Sequence, residues 1–458
     1  LNFIDRTLIA VVAQPIIESF ELTDFQWSLV YGLPFALFYA AMGLPIAMWA
    51  DRANRVKIIS LCIVVWSLAT ALCGIATGFF LLVSFRIGVA IGEAGGTPPA
   101  NSIIGDYFKP VSRSTALGIY SMGVTLGSVL ANLFGGPIAA MQGADFGNWV
   151  GSIGLGWMFG GLDWATIEGW RIAFVVVGLP GVLVALLLLM TVKEPPRGYS
   201  DPPGTINDRA SFMDSFREIA GKPTFWWMAI GASLVAFVGY GIAGFQAPFL
   251  QRIHGIDVRE AAVNYGAPLS AFAALGTFLG GWITERLSRR SETAIAWVPA
   301  VGLLLAVPAY IAAFFATNLT AVFVFWAIGA MCHYAYLGAQ YNIASGVVTS
   351  RSRATAVAVL LILVSIIGNG IGPSFVGFFS DFFTNAHLET LASAEGLNVQ
   401  LCKSLADLNP DQIGLCGTAR AAGLRSAIAL TACWFIVAAI CFLVSARTLK
   451  QDFVAKVA

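Results

Sequence analysis

The stretch Phe85-Arg86-Ile87-Gly88-Val89-Ala90-Ile91-Gly92-Glu93-Ala94-Gly95-Gly96 decides how this chain is read. It sets two opposite charges inside a run long and apolar enough to cross a bilayer as a helix. The interval between Arg86 and Glu93 is close to two helical turns, so both side chains fall on one face, about 10 Å apart along the axis. A charge near the bilayer centre costs at least about 2.5 kcal/mol, so that face is expected to look into a bundle interior or a wet cavity and to carry function. Asp5 and Arg6 repeat the anomaly near the start of the chain.

Composition agrees with a membrane setting. The chain is 58% hydrophobic and 11% charged, with a mean hydropathy of +0.78. Soluble globular domains carry about 25% charged residues. The net charge of +1 points to no nucleic-acid partner, since bases and acids nearly cancel and sit between apolar runs. The chain opens on Leu1 without Met, already inside an apolar run, and residues ahead of the first helix are expected.

Twelve apolar runs can be marked, near 1–19, 27–49, 57–76, 79–104, 114–139, 170–192, 224–248, 263–284, 294–316, 320–347, 354–379 and 424–446. The expected fold class is therefore an all-α integral membrane protein. Its domains are an N-terminal six-helix bundle over 1–192, a linker over 193–222 and a C-terminal six-helix bundle over 223–458. Phe212, Phe216 and Ile219 recur at helical spacing in the linker and predict a helix lying along the membrane surface.

Basic residues orient the runs. Arg52, Arg55, Lys57, Lys109, Arg113, Lys193, Arg197, Arg209, Arg217, Lys222, Arg286, Arg289, Arg290, Arg351, Arg353, Arg447, Lys450 and Lys456 fall in alternate connections and the C-terminal tail. The opposite side holds Arg171, Arg252, Arg259, Lys403, Arg420 and Arg425. The positive-inside rule then places both termini in the cytosol of a cell membrane. Cys402 and Cys416 share a polar loop on the outer side, where they are either a disulfide or two free thiols. Cys62, Cys73, Cys332, Cys433 and Cys441 lie in apolar segments and read as packing.

The two halves repeat each other. Ala47-x-x-x-Asp51-Arg52-x-x-Arg55 follows the second run, and Gly281-x-x-x-Glu285-Arg286-x-x-Arg289 follows the eighth. Ser112-Arg113-Ser-Thr-Ala116 before the fifth run likewise matches Ser352-Arg353-Ala-Thr-Ala356 before the eleventh. Two matches at the same six-run interval argue for duplication, and parallel six-helix halves are a transporter architecture with a site between them at mid-membrane. The charged loops read blandly as positive-inside charge. Functionally they read as a cytoplasmic gate of Asp51, Arg52, Arg55, Arg113, Glu285, Arg286, Arg289 and Arg353, whose pairs form in one conformation and part in another.

The Asp51 loop is similar to the loop between helices 2 and 3 of the major facilitator superfamily, with Ala47 and Asn54 where that pattern usually has Gly. The wording elsewhere is narrower. Leu1-Asn2-Phe3-Ile4-Asp5-Arg6, Phe35-Ala36-Leu37-Phe38-Tyr39-Ala40, Arg86 through Gly92-Glu93-Ala94 with Pro98-Pro99-Ala100, and Gly169-Trp170-Arg171-Ile172-Ala173-Phe174 together resemble a bacterial Spinster-type lipid transporter, best over helices 1 to 6. That resemblance implies twelve helices and proton-linked movement of lysophospholipids or sphingosine phosphate. It also implies that Asp5, Arg86 and Glu93 line the central cavity. Anion:cation symporters share an Asp-Arg in helix 1 and an Arg-to-Glu-Ala run in helix 4, so small organic anions are the alternative substrate.

A carboxylate that alternates between an arginine and a dry site changes its proton affinity, as a proton carrier must. Asp5 and Glu93 are therefore the expected proton carriers, with Arg86 and Arg6 tuning them or meeting an anionic head. Arg86 and Glu93 also read as a purely structural buried pair. Substrate-facing candidates are Arg86, Glu93, Tyr240, Gln246, His333, Tyr336, Gln340 and Tyr341, each of the aromatic and amide groups serving equally as an interhelical contact. The expected partners are an amphiphilic lipid-like substrate and membrane lipids, with the chain acting as a monomer. No phosphate-binding Gly-Lys-Ser loop, metal-ligand spacing or nucleophile with a base is present in the sequence. An enzyme and a cofactor beyond protons are not expected, and a gradient is the expected energy source.

Overall fold

The computed structural model describes all residues except 51, 109, 155, 160, 197–211, 350, 392–395, 405, 407 and 455–458. Every regular element among the described residues is helical. Eleven of these helices are long and apolar enough to cross a membrane, against twelve expected from sequence. The difference lies in the first run. It forms two helices, Asn2–Val11 and Ala13–Ser19, interrupted at Val12. Pro15 explains the break: it has no N–H for the Val11 carbonyl, and its ring crowds that oxygen.

Local sequence sets the other helix ends. Thr23 and Gln26 form a reciprocal capping box at the start of Asp24–Ala50. Asn54, standing where the loop pattern usually has Gly, caps Arg55–Cys73 by accepting from the Lys57 amide at 2.8 Å. The fourth run is two helices, Phe79–Ala94 and Thr97–Tyr107, and the second opens with proline in its first turn. The Gly-rich fifth and eleventh runs each contain a π-helical turn, Ala131–Gly135 and Val364–Ile371, just before Pro137 and Pro373. Each proline removes an N–H from the ladder, and the wider turn absorbs the mismatch.

The chain packs as two units, Leu1–Pro203 with Phe245–Pro268, and Gly204–Gly244 with Leu269–Ala458. Phe245–Pro268 thus groups with the first unit rather than with the rest of the expected 223–458 half. Close contacts hold it there. A side-chain carbon on Gly266 would stand 2.0 Å from Asn132 Oδ1, and one on Gly136 would stand 2.3 Å from the Ala262 methyl, so only glycine permits these approaches. Arg252 adds an ion pair to Asp24 at 2.8 Å and a hydrogen bond to Gln14 at 2.7 Å.

In the second unit, the long helix Pro410–Asp452 runs against Gly372–Thr390 and Ala294–Phe315. Cys416, near the start of that helix, and Cys402 ahead of it are joined in a disulfide, the first of the two alternatives for that loop. Both cysteines are buried with Leu388 and Ala419 in a small apolar cluster. A helix is present in the linker as Phe212–Ala220, the side chain of Phe212 lying outside the described residues. Its Ile219 is buried while Phe216 is partly exposed. Glu218 anchors it by accepting from the Thr349 amide at 2.7 Å, the Thr349 hydroxyl at 3.0 Å and the Ser352 hydroxyl at 2.5 Å. Burial alone would raise the Glu218 carboxyl, but the Ser352 and Thr349 bonds hold it below the usual glutamate range.

Candidate functional site

The charged residues of the opening stretch lie within the first unit. Phe79–Ala94 is brought against Arg55–Cys73 at Gly92, where a side-chain carbon would stand 2.6 Å from the Trp66 amide nitrogen. The residue after that close contact is Glu93, fully buried. Arg6 Nε donates to Glu93 Oε2 from the Asn2–Val11 helix, while Glu93 Oε1 has no hydrogen-bond partner among the described residues. Asp5 and Arg86 are both 3% exposed, and neither takes part in an ion pair among the described residues. Arg86 Nε is likewise without a hydrogen-bond partner there.

Aromatic rings hold what the carboxylates do not. The Arg6 guanidinium carbon lies 5.5 Å from the Phe3 ring centre, 5.0 Å from Phe35 and 4.7 Å from Tyr39. Arg86 lies 4.8 Å from the same Phe35 ring. The site therefore contains two acids and two bases, of which one pair is joined. A buried ion pair of this kind gives little net stability, yet breaking one partner away costs about 3–5 kcal/mol. Such a group is suited to exchanging partners when a proton or an anion arrives.

The other expected site residues are spread more widely. Gln246 belongs to the first unit, and its Nε2 is buried without a partner among the described residues. In the second unit, His333 is packed on Phe435 at 4.7 Å, stacked with Tyr336 at 6.1 Å, and bonded through Nδ1 to the Tyr310 hydroxyl at 3.2 Å. Gln340 is buried with Oε1 unpartnered among the described residues, Tyr240 is half-buried and Tyr341 is exposed.

Of the gate residues, Asp51 and the side chain of Arg113 lie outside the described residues. Arg55 is buried and binds Glu194 at 2.6 Å, Asp106 at 2.5 Å, Ser102 at 2.8 Å and the Pro195 carbonyl at 2.9 Å. Glu285 and Arg289 form an exposed pair one helical turn apart, at 2.8 Å. Arg286 lies over Trp282 at 5.7 Å, and Arg52 and Arg353 are exposed.

Sequence reasoning did not single out Asp106 and Glu194 as the partners of Arg55, nor the Arg252–Asp24–Gln14 cluster. The available signals were an acid ending an apolar run at Asp106, one opening the linker at Glu194, and Asp24 facing a run with no nearby base. Phe35 and Tyr39 were noted for their wording and not for the arginines they hold.

Buried charge among apolar spans is the arrangement of a multi-pass membrane transporter. The sequence model of the Major Facilitator Superfamily matches residues 1–308. A crystal structure of a bacterial homolog to the human lysosomal transporter Spinster, in an inward-facing and unoccupied conformation, is 55% identical with a TM-score of 0.92, covering 100% of this chain and 96% of that one. An MFS-type efflux pump of Mycolicibacterium smegmatis is 28% identical over 454 residues, 99% of this chain and 91% of its own length. The sphingosine-1-phosphate transporter SPNS2 of Danio rerio is 26% identical over 411 residues, 83% of this chain and 74% of its own length. The chain belongs to the Major Facilitator Superfamily and, within it, to the Spinster homologues.

Proposed function

We propose that this protein is a proton-coupled secondary transporter of lysolipids or related amphiphilic anions, working by alternating access. The observation that carries the reading is the charge set of the first unit, in which Arg6 holds Glu93 while Asp5 and Arg86 are buried without ion pairs among the described residues. Glu93 and Asp5 serve as proton carriers. Protonation of Glu93 weakens its hold on Arg6, and a guanidinium freed of its carboxylate meets an anionic head. The printed name of the Danio rerio relative, a sphingosine-1-phosphate transporter, supports an amphiphile carrying an anionic head over a small organic anion.

The protein acts as a monomer in a bacterial inner membrane, with both termini cytoplasmic. The Lys and Arg distribution supports that orientation, and so does the disulfide, since bridges persist on the oxidising side of a membrane. The test is uptake of labelled lysophospholipid into proteoliposomes with and without a pH gradient. Wild type is expected to respond to the gradient, and Glu93→Gln and Asp5→Asn to lose the response. Unchanged proton dependence in both variants would sink the proton assignment. Small carboxylates outcompeting lysolipid would move the substrate to organic anions.

A further inference from the structure

One ring stands against both arginines of the site. Phe35 is 1% exposed, and its centre lies 5.0 Å from the Arg6 guanidinium and 4.8 Å from that of Arg86. Two like charges in an apolar setting repel, and each favours a single carboxylate as partner. Yet only Arg6 reaches Glu93, and Arg86 is kept off it. Tyr39 stacks on Phe35 with ring planes 13° apart, which fixes the orientation of the Phe35 face.

We propose that Phe35 is the positioning residue of this site: its ring stations Arg6 on Glu93 and Arg86 away from it, and so decides which guanidinium neutralises the carboxylate. The inference rests on the reading of Glu93 as a proton carrier. It assigns Phe35 no contact with substrate. A ring serves better than an aliphatic side chain because its negative face attracts a guanidinium without offering it a counter-charge that would compete with Glu93. The charged groups acting on Glu93 are Asp5 and Arg6 on the first helix and Arg86 on its own helix; Tyr31 on Asp24–Ala50 and Cys73 on Arg55–Cys73 face Arg86, Tyr39 lies against Arg6, and Cys62 lies against Gly92 and Gly95.

Proton uptake by the detergent-solubilised protein after a pH jump, followed with an indicator dye, tests this without substrate. Four proteins are compared: wild type, Phe35→Leu, Phe35→Tyr and Glu93→Gln. Phe35→Leu keeps an apolar side chain and removes the ring, and it should move the uptake midpoint by about one pH unit, upward because Glu93 loses its stationed cation. Phe35→Tyr keeps the ring face and should retain the wild-type midpoint. A wild-type midpoint in Phe35→Leu, or an equal displacement in Phe35→Tyr, overturns the inference. Glu93→Gln separates the two readings. Uptake unchanged in that variant removes Glu93 as the carrier, whereas uptake lost there with no displacement in Phe35→Leu refutes the role of Phe35 alone.

Discussion

Arg55→Met is the sharpest test of how the first unit is held. Arg55 is 1% exposed and joins three segments: it opens Arg55–Cys73, reaches Ser102 and Asp106 on Thr97–Tyr107, and binds Glu194 and the Pro195 carbonyl beyond the sixth span. Glu194 also accepts from the Val56 amide at 3.1 Å, so the acid is tied to the same helix start twice. Methionine fills much of the same volume but leaves both acids without their cation. Removing one partner of a buried ion pair costs about 3–5 kcal/mol. Asp106 and Glu194 are 14% and 23% exposed, so water recovers part of that, leaving about 2–3 kcal/mol. For a unit of this size, that corresponds to a Tm lower by about 5–10 °C. Thermal unfolding in detergent, followed by intrinsic tryptophan fluorescence, reads it. Arg55→Met with Asp106→Asn and Glu194→Gln should recover a large share of the loss, since the uncompensated acids are then neutral. A Tm within about 1 °C of wild type for Arg55→Met would refute the reasoning.

Three further outcomes follow from the same physics. Arg252→Gln leaves Asp24, 2% exposed, without its cation and should lower Tm by several degrees, whereas Arg252→Gln with Asp24→Asn should restore most of it in the same fluorescence melt. Reduction of the Cys402–Cys416 bridge frees a 14-residue separation and should cost about 3 kcal/mol by chain entropy; a maleimide probe should label Cys402 and Cys416 only after reductant. Glu218 has a folded-state pKa below its unfolded value, so its contribution is fully present above about pH 4.3 and is lost as pH falls through the folded value. The protection factor of the Thr349 amide, its exchange rate corrected for the intrinsic pH dependence, should therefore fall in strong acid, and Glu218→Gln should show that lower protection already at pH 7.

The spans were legible because length and apolarity are local properties. Most ends moved by a few residues, but the twelfth helix starts at Pro410 rather than near 424 and the eleventh span runs to Thr390 rather than near 379, since polar outer-side residues continue both helices; the helix near 212–220 was visible in the spacing of its apolar residues. The break at Val12 was local too, written in Pro15, but an unbroken apolar run concealed it. The Arg86–Glu93 interval demanded partners from elsewhere, and of the two Glu93 finds a charged one, in Arg6. That Arg6 and not Asp5 would reach Glu93 depends on the rotation of one helix against another, which no spacing within either helix specifies. Arg55 shows the same limit: its charge was visible, while its acids lie fifty and more residues onward, on segments brought together by packing. Asn54 ran the other way. What read as a departure from a glycine pattern is a helix cap, serving the start of the third span.

The π turns at Ala131–Gly135 and Val364–Ile371 change how these two helices must be counted. One residue added to a helical turn rotates everything beyond it by about 100° relative to an unbroken α-helix. Residues before and after each turn therefore do not share the face that a helical wheel drawn through the whole run assigns them. Spin labels or cysteine cross-links placed on the fifth and eleventh spans need separate wheels on either side of the turn. Deleting a single residue within either turn removes the extra residue and leaves the Pro137 or Pro373 end on the neighbour it now meets, whereas winding the same turn as α-helix at full length would swing that end onto a different one.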